Sequence, residues 1–164
     1  GLPELVAYSA SPPDSIMRIE APVQPILREV LFTDRGNGFI PHEARYVGGP
    51  LQTLRTFVSL LRAGDREGAR GLLLRSDMFE LIEAAGWAQT RSAGSFVVDR
   101  QEESQPWPEW YGVRVRGVNG VRRWVVHFAF QGGRWLIRDV VAEEAPRPEA
   151  PRAVSKDSTG GHRP

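Results

Sequence analysis

The segment that most constrains the fold spans residues 110–144 and reads WYGVRVRGVNGVRRWVVHFAFQGGRWLIRDVVAEE. Its runs of Val, Arg and aromatic residues are separated by Asn119-Gly120 and by Gly132-Gly133. Both dipeptides are typical of two-residue β-hairpin loops, whose central residues take the positive φ angles that Gly and Asn tolerate. The sequence therefore predicts three antiparallel strands joined by two tight turns.

A two-residue loop also fixes which residues face each other across a hairpin. Counting outward from the two dipeptides predicts three informative pairs: Arg116 with Arg123, His127 with Arg138, and Val126 with Asp139. Side chains alternate between the two faces of a strand, so the two members of each pair lie on the same face of the predicted sheet.

One face of the predicted sheet is apolar and is expected to be buried. It carries Tyr111, Val113, Val115, Trp124, Val126, Phe128, Phe130, Trp135, Ile137 and Val141, with Asp139 as the exception. The opposite face is mixed, because basic side chains alternate there with apolar ones. It carries Arg114, Arg116, Arg123, His127 and Arg138 among Val125, Ala129, Leu136 and Val140.

Length and composition favour one soluble globular domain. The chain has 164 residues, is 41% hydrophobic and carries a net charge of +1, which permits a substantial core and argues against a general nucleic-acid binder. Cysteine is absent, so disulfides, thiol nucleophiles and Cys-based metal sites are excluded. We expect no membrane span and see no signal peptide. The compartment stays open between the cytoplasm and export with a removed signal.

The first 49 residues are predicted to form an N-terminal β extension. Residues 15–20 are the candidate for a short edge strand in a segment that prolines otherwise break. Residues 26–33 and 39–47 flank a glycine-containing turn and predict a hairpin. Pro41 places the second strand of this hairpin at a sheet edge or at a bulge.

Three helices are predicted to follow. Apolar residues recur at helical spacing over residues 50–63, which indicates an amphipathic helix with proline in its first turn. Asp65 is expected to cap a second, shorter helix, and Ser76 or Asp77 begins a third. Asp77 and Glu80 have the spacing of a capping box.

The remaining segments complete a three-part organisation of the chain. Residues 95–100 predict a strand, which a polar, proline-broken loop connects to the meander. Residues 145–164 are rich in proline and glycine and are expected to be disordered. The predicted division is therefore an extension over residues 1–49, a domain over residues 50–144, and a tail.

Two segments carry a resemblance to a known family. LRAGDREGAR (residues 61–70) follows the first predicted helix, and GGRWLIRDV (residues 132–140) forms the last hairpin. Over about residues 50–144 the chain resembles the nuclear-transport-factor-like superfamily, which includes SnoaL-type and ketosteroid-isomerase-like proteins. The resemblance implies a cystatin-like α+β fold, in which helices pack on a curved antiparallel sheet whose concave face forms a pocket.

Asp139 is the main catalytic candidate, because the predicted register places its carboxylate on the buried face beside Val126. Desolvation there raises a carboxyl pKa and suits the group to general-base chemistry. The competing interpretation is a structural carboxylate that accepts a hydrogen bond from the backbone or from an arginine. Tyr111 and Trp124 lie on the same predicted face, and either would help to shape a catalytic site.

The basic residues of the mixed face form a candidate interface or anion-binding site. They are Arg114, Arg116, Arg123, Arg138 and His127. A like-charge pair across a hairpin is destabilising, so we expect these arginines to bind a carboxylate or phosphate, or acidic residues of a second subunit or of the N-terminal segment. The apolar residues between them favour a protein contact, and His127 is interpreted as a packed, neutral side chain.

The last candidates line the pocket that the resemblance implies. They are Val113, Val115, Trp124, Val126, Phe128, Trp107 and Trp110. Trp107 and Trp110 are expected to cover the pocket, to offer a stacking platform for a sugar or a base, or to anchor their loop in the core. The exposure of Trp107 distinguishes these interpretations.

The sequence favours a non-catalytic binding or assembly domain that self-associates through its arginine-bearing sheet face. A homodimer or another protein partner and a small apolar ligand are the expected partners, and no metal or cofactor is predicted. The alternative is a pocket enzyme of the isomerase, dehydratase or hydrolase type that uses Asp139 as its general base.

Overall fold

The computed structural model describes residues 4–10, 15–103, 107–117 and 120–143. Within them the protein is an α+β fold with eight strands and three α-helices. The strands are β1 (Glu4–Ala10), β2 (Arg18–Ile19), β3 (Leu27–Asp34), β4 (Phe39–Tyr46), β5 (Phe96–Gln101), β6 (Trp110–Gly117), β7 (Gly120–Gln131) and β8 (Arg134–Ala142). The helices are α1 (Pro50–Ala63), α2 (Arg66–Arg70) and α3 (Met78–Ala84). No helix in the described part is long and apolar enough to cross a membrane.

The strands form two separate sheets. The large sheet has the order β2-β5-β6-β7-β8, and the small sheet has the order β1-β3-β4. All neighbouring strands are antiparallel except β2 and β5, which are parallel. The N-terminal 49 residues therefore contribute to both sheets. The predicted disorder of residues 145–164 lies outside the described residues.

The helices follow the sequence closely. Helix α1 begins at Pro50 and ends at Gly64, whose left-handed conformation (φ 76°) provides the cap. The Asp65 carboxylate accepts a hydrogen bond of 2.8 Å from the Gly68 amide and caps α2, as predicted. The capping box predicted for α3 is wrong, because the Asp77 carboxylate makes no cap hydrogen bond and pairs instead with Arg75 at 2.6 Å.

One face of the large sheet is covered by helices and is tightly filled. Trp87 lies at its centre, fully buried, with edge-to-face contacts to Phe57, Phe96 and Trp124 at centroid distances of 6.3, 5.1 and 5.8 Å. Three residues of the N-terminal segment join the same core: Met17, Val23 and Ile26. Large aromatic side chains thus occupy the space in which the family resemblance implies a pocket.

The register predicted for the first hairpin is wrong by two residues. Gly117 pairs with Gly120, so Arg116 faces Val121 and Arg114 faces Arg123. The turn therefore lies one position earlier than predicted, and Gly120 closes it with a positive φ of 99°. A shift of two residues preserves the faces of a strand. The predicted burial is accordingly confirmed for Tyr111, Val113, Val115, Trp124, Val126, Phe128 and Ile137.

The second hairpin follows the predicted register only as far as Phe128 and Ile137. A bulge at Arg138 then pairs His127 with Asp139 and Val126 with Val140, so the predicted pairs of His127 with Arg138 and of Val126 with Asp139 are wrong. One extra residue moves every later side chain to the other face. Val140 is therefore buried, whereas Val141, predicted to be buried, is exposed.

The small sheet contains the predicted hairpin together with β1, which the sequence did not reveal. Pro41 lies in the edge strand β4 beside a bulge at Leu31 and Phe32, as predicted. In the described part of the chain, no helix packs across either face of this sheet. Its strands consequently leave large apolar side chains exposed, among them Leu5, Phe39 and Ile40.

Candidate functional site

Trp107 is a large aromatic side chain that is both fixed in position and open to solvent. Its indole packs against Gly49, the residue that precedes α1, where a Cβ atom would lie only 2.6 Å from Cζ3 of the ring. Glycine is therefore what allows the ring to approach the helix so closely. With 42% of its surface exposed, Trp107 favours the stacking-platform or lid interpretation over that of a core anchor.

A cleft lies on each side of this indole, and we call the two together the Trp107 groove. The first, of about 270 Å³, lies between the base of the small sheet and α1 and is lined by Leu27, Val47, Leu51, Pro108 and Tyr111. The second, of about 440 Å³, is lined by Thr53, Thr56, Leu72, Phe130, Arg134 and Trp135. Gly49, Gln52 and Trp107 line both.

Phe130 and Trp135 give the second cleft its own aromatic wall. Their rings meet edge to face at 5.5 Å, just before and just after the final turn. Both were predicted to be buried, but Phe130 is exposed and Trp135 half-buried. The prediction failed because these residues lie at the tip of the hairpin, beyond the helical layer. Their position next to Gly132-Gly133 was the signal that pointed to a strand end.

Polar groups lie between the aromatic walls. Gln52 donates from Nε2 to Thr56 at 3.3 Å, and its Oε1 is buried with no hydrogen-bond partner among the described residues. Leaving a buried polar group unsatisfied costs about 1–3 kcal/mol. Sequence reasoning missed Gln52, because nothing in helical spacing distinguishes it from an ordinary surface residue.

Tyr111 lines the first cleft and is almost fully buried, next to the ring of Phe128 at 5.8 Å. Burial raises the pKa of its phenol above the ordinary value, because the charged form is poorly solvated there. The phenol therefore stays protonated at neutral pH. It can act as a hydrogen-bond donor in the cleft but not as an ionised base.

Asp139 has the surroundings of a structural carboxylate. The bulge removes it from the position opposite Val126, and its Oδ1 accepts a hydrogen bond of 2.9 Å from the Val140 amide. It lines neither cleft of the Trp107 groove, nor a third cleft of about 230 Å³ beside Gly86 and Gly117. A general-base role for Asp139 stays a prediction.

The other predicted pocket residues divide between the core and the surface. Val113, Trp124, Val126 and Phe128 belong to the filled core, and Val115 lies where that core meets the third cleft. Trp110 is half-buried and pairs with His127. Both side chains lie on the face of the sheet that points away from the core. The structure therefore brings only Trp107 and Tyr111 of the predicted site residues together in one cleft.

The arginine-bearing face is neutralised in part from within the chain. Arg114 contacts Glu20 of the N-terminal segment and lies 2.6 Å from Asp99, with Nε as the nearest atom. Contact with acidic residues of the N-terminal segment was one of the predicted alternatives. These carboxylates offset the like charge of Arg114 opposite Arg123. Arg116, Arg123 and Arg138 are exposed, and His127 is half-buried.

A second ion pair on this face joins distant strands. Arg100 donates two hydrogen bonds to the Glu143 carboxylate, at 2.9 and 2.8 Å, and its side chain crosses Gly112, where a Cβ would clash with it. These hydrogen bonds from Arg100 hold the pKa of Glu143 below its ordinary value. No local pattern predicts this pair, because the partners lie 43 positions apart.

Comparisons with family models, with curated proteins and with solved structures found no match to this chain. Among the described residues, no group of three or more His, Asp or Glu side chains is arranged to hold a metal ion. The function proposed below therefore rests on the geometry of the Trp107 groove.

Proposed function

We propose that this protein is a non-catalytic binding domain whose ligand lies in the Trp107 groove. The observation that carries the proposal is the half-exposed indole of Trp107, held against Gly49 with a cleft on each side. An aromatic ring fixed in a concave surface offers a large contact area, and little conformational entropy is lost when a ligand binds. Concave sites with aromatic walls and a few polar groups are typical of small-molecule binding.

The chemistry of the groove favours a neutral saccharide. Trp107, Phe130 and Trp135 offer ring faces against which the apolar face of a sugar can stack. Gln52 lines both clefts, and a sugar hydroxyl matches its amide in either orientation because a hydroxyl both donates and accepts. Arg134 is the one charged residue that lines the two clefts in the described part of the chain, which disfavours a highly charged ligand.

The relation to the nuclear-transport-factor-like superfamily is part of this proposal. Two observations support it over about residues 50–144. Helices α1 to α3 precede an antiparallel meander in the chain. Bulges in β5 and β8 interrupt the regular ladders of that sheet, and bulges bend strands in the way that a curved sheet requires.

Nuclear magnetic resonance of the tryptophan side chains tests the proposal directly. The chain has five tryptophans, whose indole N–H signals can be assigned with single Trp→Phe variants. During titration with neutral gluco-, chito- and xylo-oligosaccharides, we expect the signals of Trp107 and Trp135 to move and saturate. The signals of Trp87 and Trp124, which lie in the core, serve as internal references and should stay in place.

A variant separates stacking from general stability. Trp107→Ala is expected to weaken saccharide binding on the order of 30-fold, because truncating a central aromatic costs about 2 kcal/mol or more. Leu81→Ala, at an exposed apolar residue of α3, is the control and should bind normally. Equal affinity of the two variants would contradict a ligand in this groove. Failure of every neutral oligosaccharide to bind would overturn the saccharide assignment.

A further inference from the structure

The small sheet presents a largely apolar face across which no helix of the described chain packs, although the Arg55 guanidinium of α1 lies 4.6 Å from the ring centroid of Tyr46. Pairing across β1, β3 and β4 places alternate residues on this face. It carries Leu5, Ala7, Val30, Phe32, Phe39, Pro41, Ala44 and Tyr46. The opposite face instead carries a charged network, in which Glu29 accepts hydrogen bonds from Tyr8 at 3.0 Å and from Arg45 at 2.5 Å. Val6, Leu27 and Ile40 are also exposed on that opposite face. The two faces therefore differ in the position of their charges, which lie at the ends of the first face and within the second.

We propose that this apolar face is the contact between two copies of the chain in solution. In this dimer, the small sheets of the two copies pack face to face. The two-fold axis lies between them and runs at right angles to β3, level with Leu31. Such an axis runs each strand antiparallel to its counterpart. Sheets stacked in this way lie about 10 Å apart with interdigitating side chains.

The first support is the complementarity of the face with itself. The two-fold axis places Phe32 of each copy opposite Val30 of the other, Leu5 opposite Ala7, and Pro41 opposite Ala44. A larger side chain meets a smaller one in each case, which is how two inner faces interdigitate. At one end of the face, Phe39 meets Tyr46, a pair of exposed aromatic residues.

The second support is charge. The apolar face is bounded along β3 by Arg28 at one end and by Asp34 at the other. The same axis brings Arg28 of each copy to Asp34 of its partner, which gives two ion pairs per dimer. Asp34 accepts a hydrogen bond from the Gly36 amide through Oδ1, which leaves Oδ2 available as an acceptor for a guanidinium. A single copy cannot form these pairs, because its own Arg28 and Asp34 lie six residues apart on one strand.

The size of the face sets the strength of association. Three strands of about seven residues cover roughly 14 by 23 Å, which places the contact among small interfaces. Interfaces of this class associate weakly, and we expect a dissociation constant of about 10–100 µM. This surface is separate from the Trp107 groove, so the dimer and the bound saccharide are independent proposals. It also differs from the arginine-bearing face of the large sheet.

Sedimentation equilibrium of the full chain from about 1 to 500 µM tests the proposal. The wild type should change from monomer to dimer over this range. Phe39→Asp, at a 48% exposed residue of the apolar face, should raise the dissociation constant at least tenfold. Ile40→Asp, at the next residue, is 50% exposed but lies on the charged face. It is a matched control for the added charge and should dimerise like the wild type.

A charge exchange tests the two-fold arrangement itself. Arg28→Glu alone and Asp34→Lys alone should each weaken the dimer, because each leaves two like-charged pairs in the interface. An equimolar mixture of the two variants should regain a dissociation constant close to that of the wild type, since both cross-pairs become attractive. A purely structural effect of either substitution would not be reversed by mixing.

Three results would overturn the proposal. The first is a monomer at every concentration of the wild type. The second is a dimer that Ile40→Asp or Arg116→Glu abolishes while Phe39→Asp leaves it intact. The third is a mixture of the charge variants that associates no better than either variant alone.

Discussion

In both sheets of this molecule, successive side chains of each strand alternate between the two faces, yet the surroundings of the two sheets differ. The large sheet has a helical layer on one face, and Trp87, Phe57 and Phe79 are fully buried against it. The small sheet has no such layer in the described part of the chain, and Val30 and Phe32 in its central strand are only half-buried. The alternation of apolar residues along a strand therefore shows which side chains share a face. It does not show whether another element of the same chain packs on that face.

The difference has an energetic consequence. Burial of apolar surface stabilises a fold by about 25 cal/mol per Å², so the free energy of folding is concentrated where helices and sheet meet. A sheet without a packed face gains little from its side chains and relies on backbone pairing. We therefore expect the large sheet to determine global stability and the small sheet to open locally, unless a partner covers it.

The largest expected effect lies in the core of the large sheet. Trp87→Ala should destabilise the protein by about 3–5 kcal/mol, because it removes a buried ring and leaves a cavity among Phe57, Phe96 and Trp124. Phe32→Ala, in the small sheet, should cost about 1 kcal/mol or less. Urea unfolding, followed by circular dichroism at a concentration too low for dimers, measures both. Similar losses in the two variants would remove the proposed distinction between the sheets.

The next effect concerns Gly49, which lies between β4 of the small sheet and helix α1. Gly49→Ala should push the Trp107 indole away from α1 and destabilise the protein by about 1–3 kcal/mol, because the added methyl would overlap the ring. Gly48→Ala is the matched control, since a Cβ there meets nothing within 4 Å. Trp107 exposure, measured by acrylamide quenching, and urea unfolding report the two results. A normal Gly49→Ala protein would contradict the close packing of the indole.

A smaller effect concerns the ion pair of the large sheet. Because Arg100 lowers the pKa of Glu143, the pair stabilises the fold above the unfolded pKa of about 4.5, and this contribution is lost as the pH falls through the folded pKa. Glu143→Gln should therefore cost about 1 kcal/mol at pH 7, a value limited by the partial exposure of both side chains. As the pH falls below the folded pKa of Glu143, the variant and the wild type should converge. A stability difference that stays constant from pH 7 down to the onset of acid unfolding would contradict this linkage.

The smallest effect is expected in the charged network of the small sheet. Glu29 has a lowered pKa, chiefly because Arg45 donates a hydrogen bond to it. The Glu29 side chain is largely covered, but that of Arg45 is 62% exposed. Pairs with a solvent-exposed partner contribute little to stability. Glu29→Gln should leave the urea midpoint unchanged at pH 7 while Glu143→Gln lowers it. A larger loss in Glu29→Gln would show that the small sheet takes part in the global transition.

Local signals in the sequence were sufficient for most elements. The spacing of apolar residues predicted α1 with both of its ends, and Asp65 was recognised as a cap. The turn glycines predicted the meander and the N-terminal hairpin, and Pro41 indicated the edge strand. Each of these signals acts over a few neighbouring residues, which explains why they could be interpreted without a structure.

The errors arose where contacts are distant or where a single residue changes the register. The first hairpin pairs Gly117 with Gly120 instead of Val118 with Val121, because a second glycine at position 117 lets the strands begin to pair at a different residue. The strand β1 pairs with β3 across more than 15 residues, and no local pattern marks it. The Trp107 groove joins five stretches of the chain, residues 24–27, 47–56, 72, 107–111 and 130–135. Of its lining residues, only Trp107 and Tyr111 were predicted as site residues.

The bulge at Arg138 shifts the alternation of side chains in β8 by one residue. The sequence WLIRDVV places two charged residues inside an apolar run, and an uninterrupted strand would have to turn one of them into the core. The inserted residue lets Arg138 reach solvent, gives Asp139 a backbone partner and returns Val140 to the buried layer. The bulge thus allows β8 to carry two adjacent charged residues without burying either one in the core. A regular strand of the same length would place the Asp139 carboxylate inside and Val140 outside without any change of side chain.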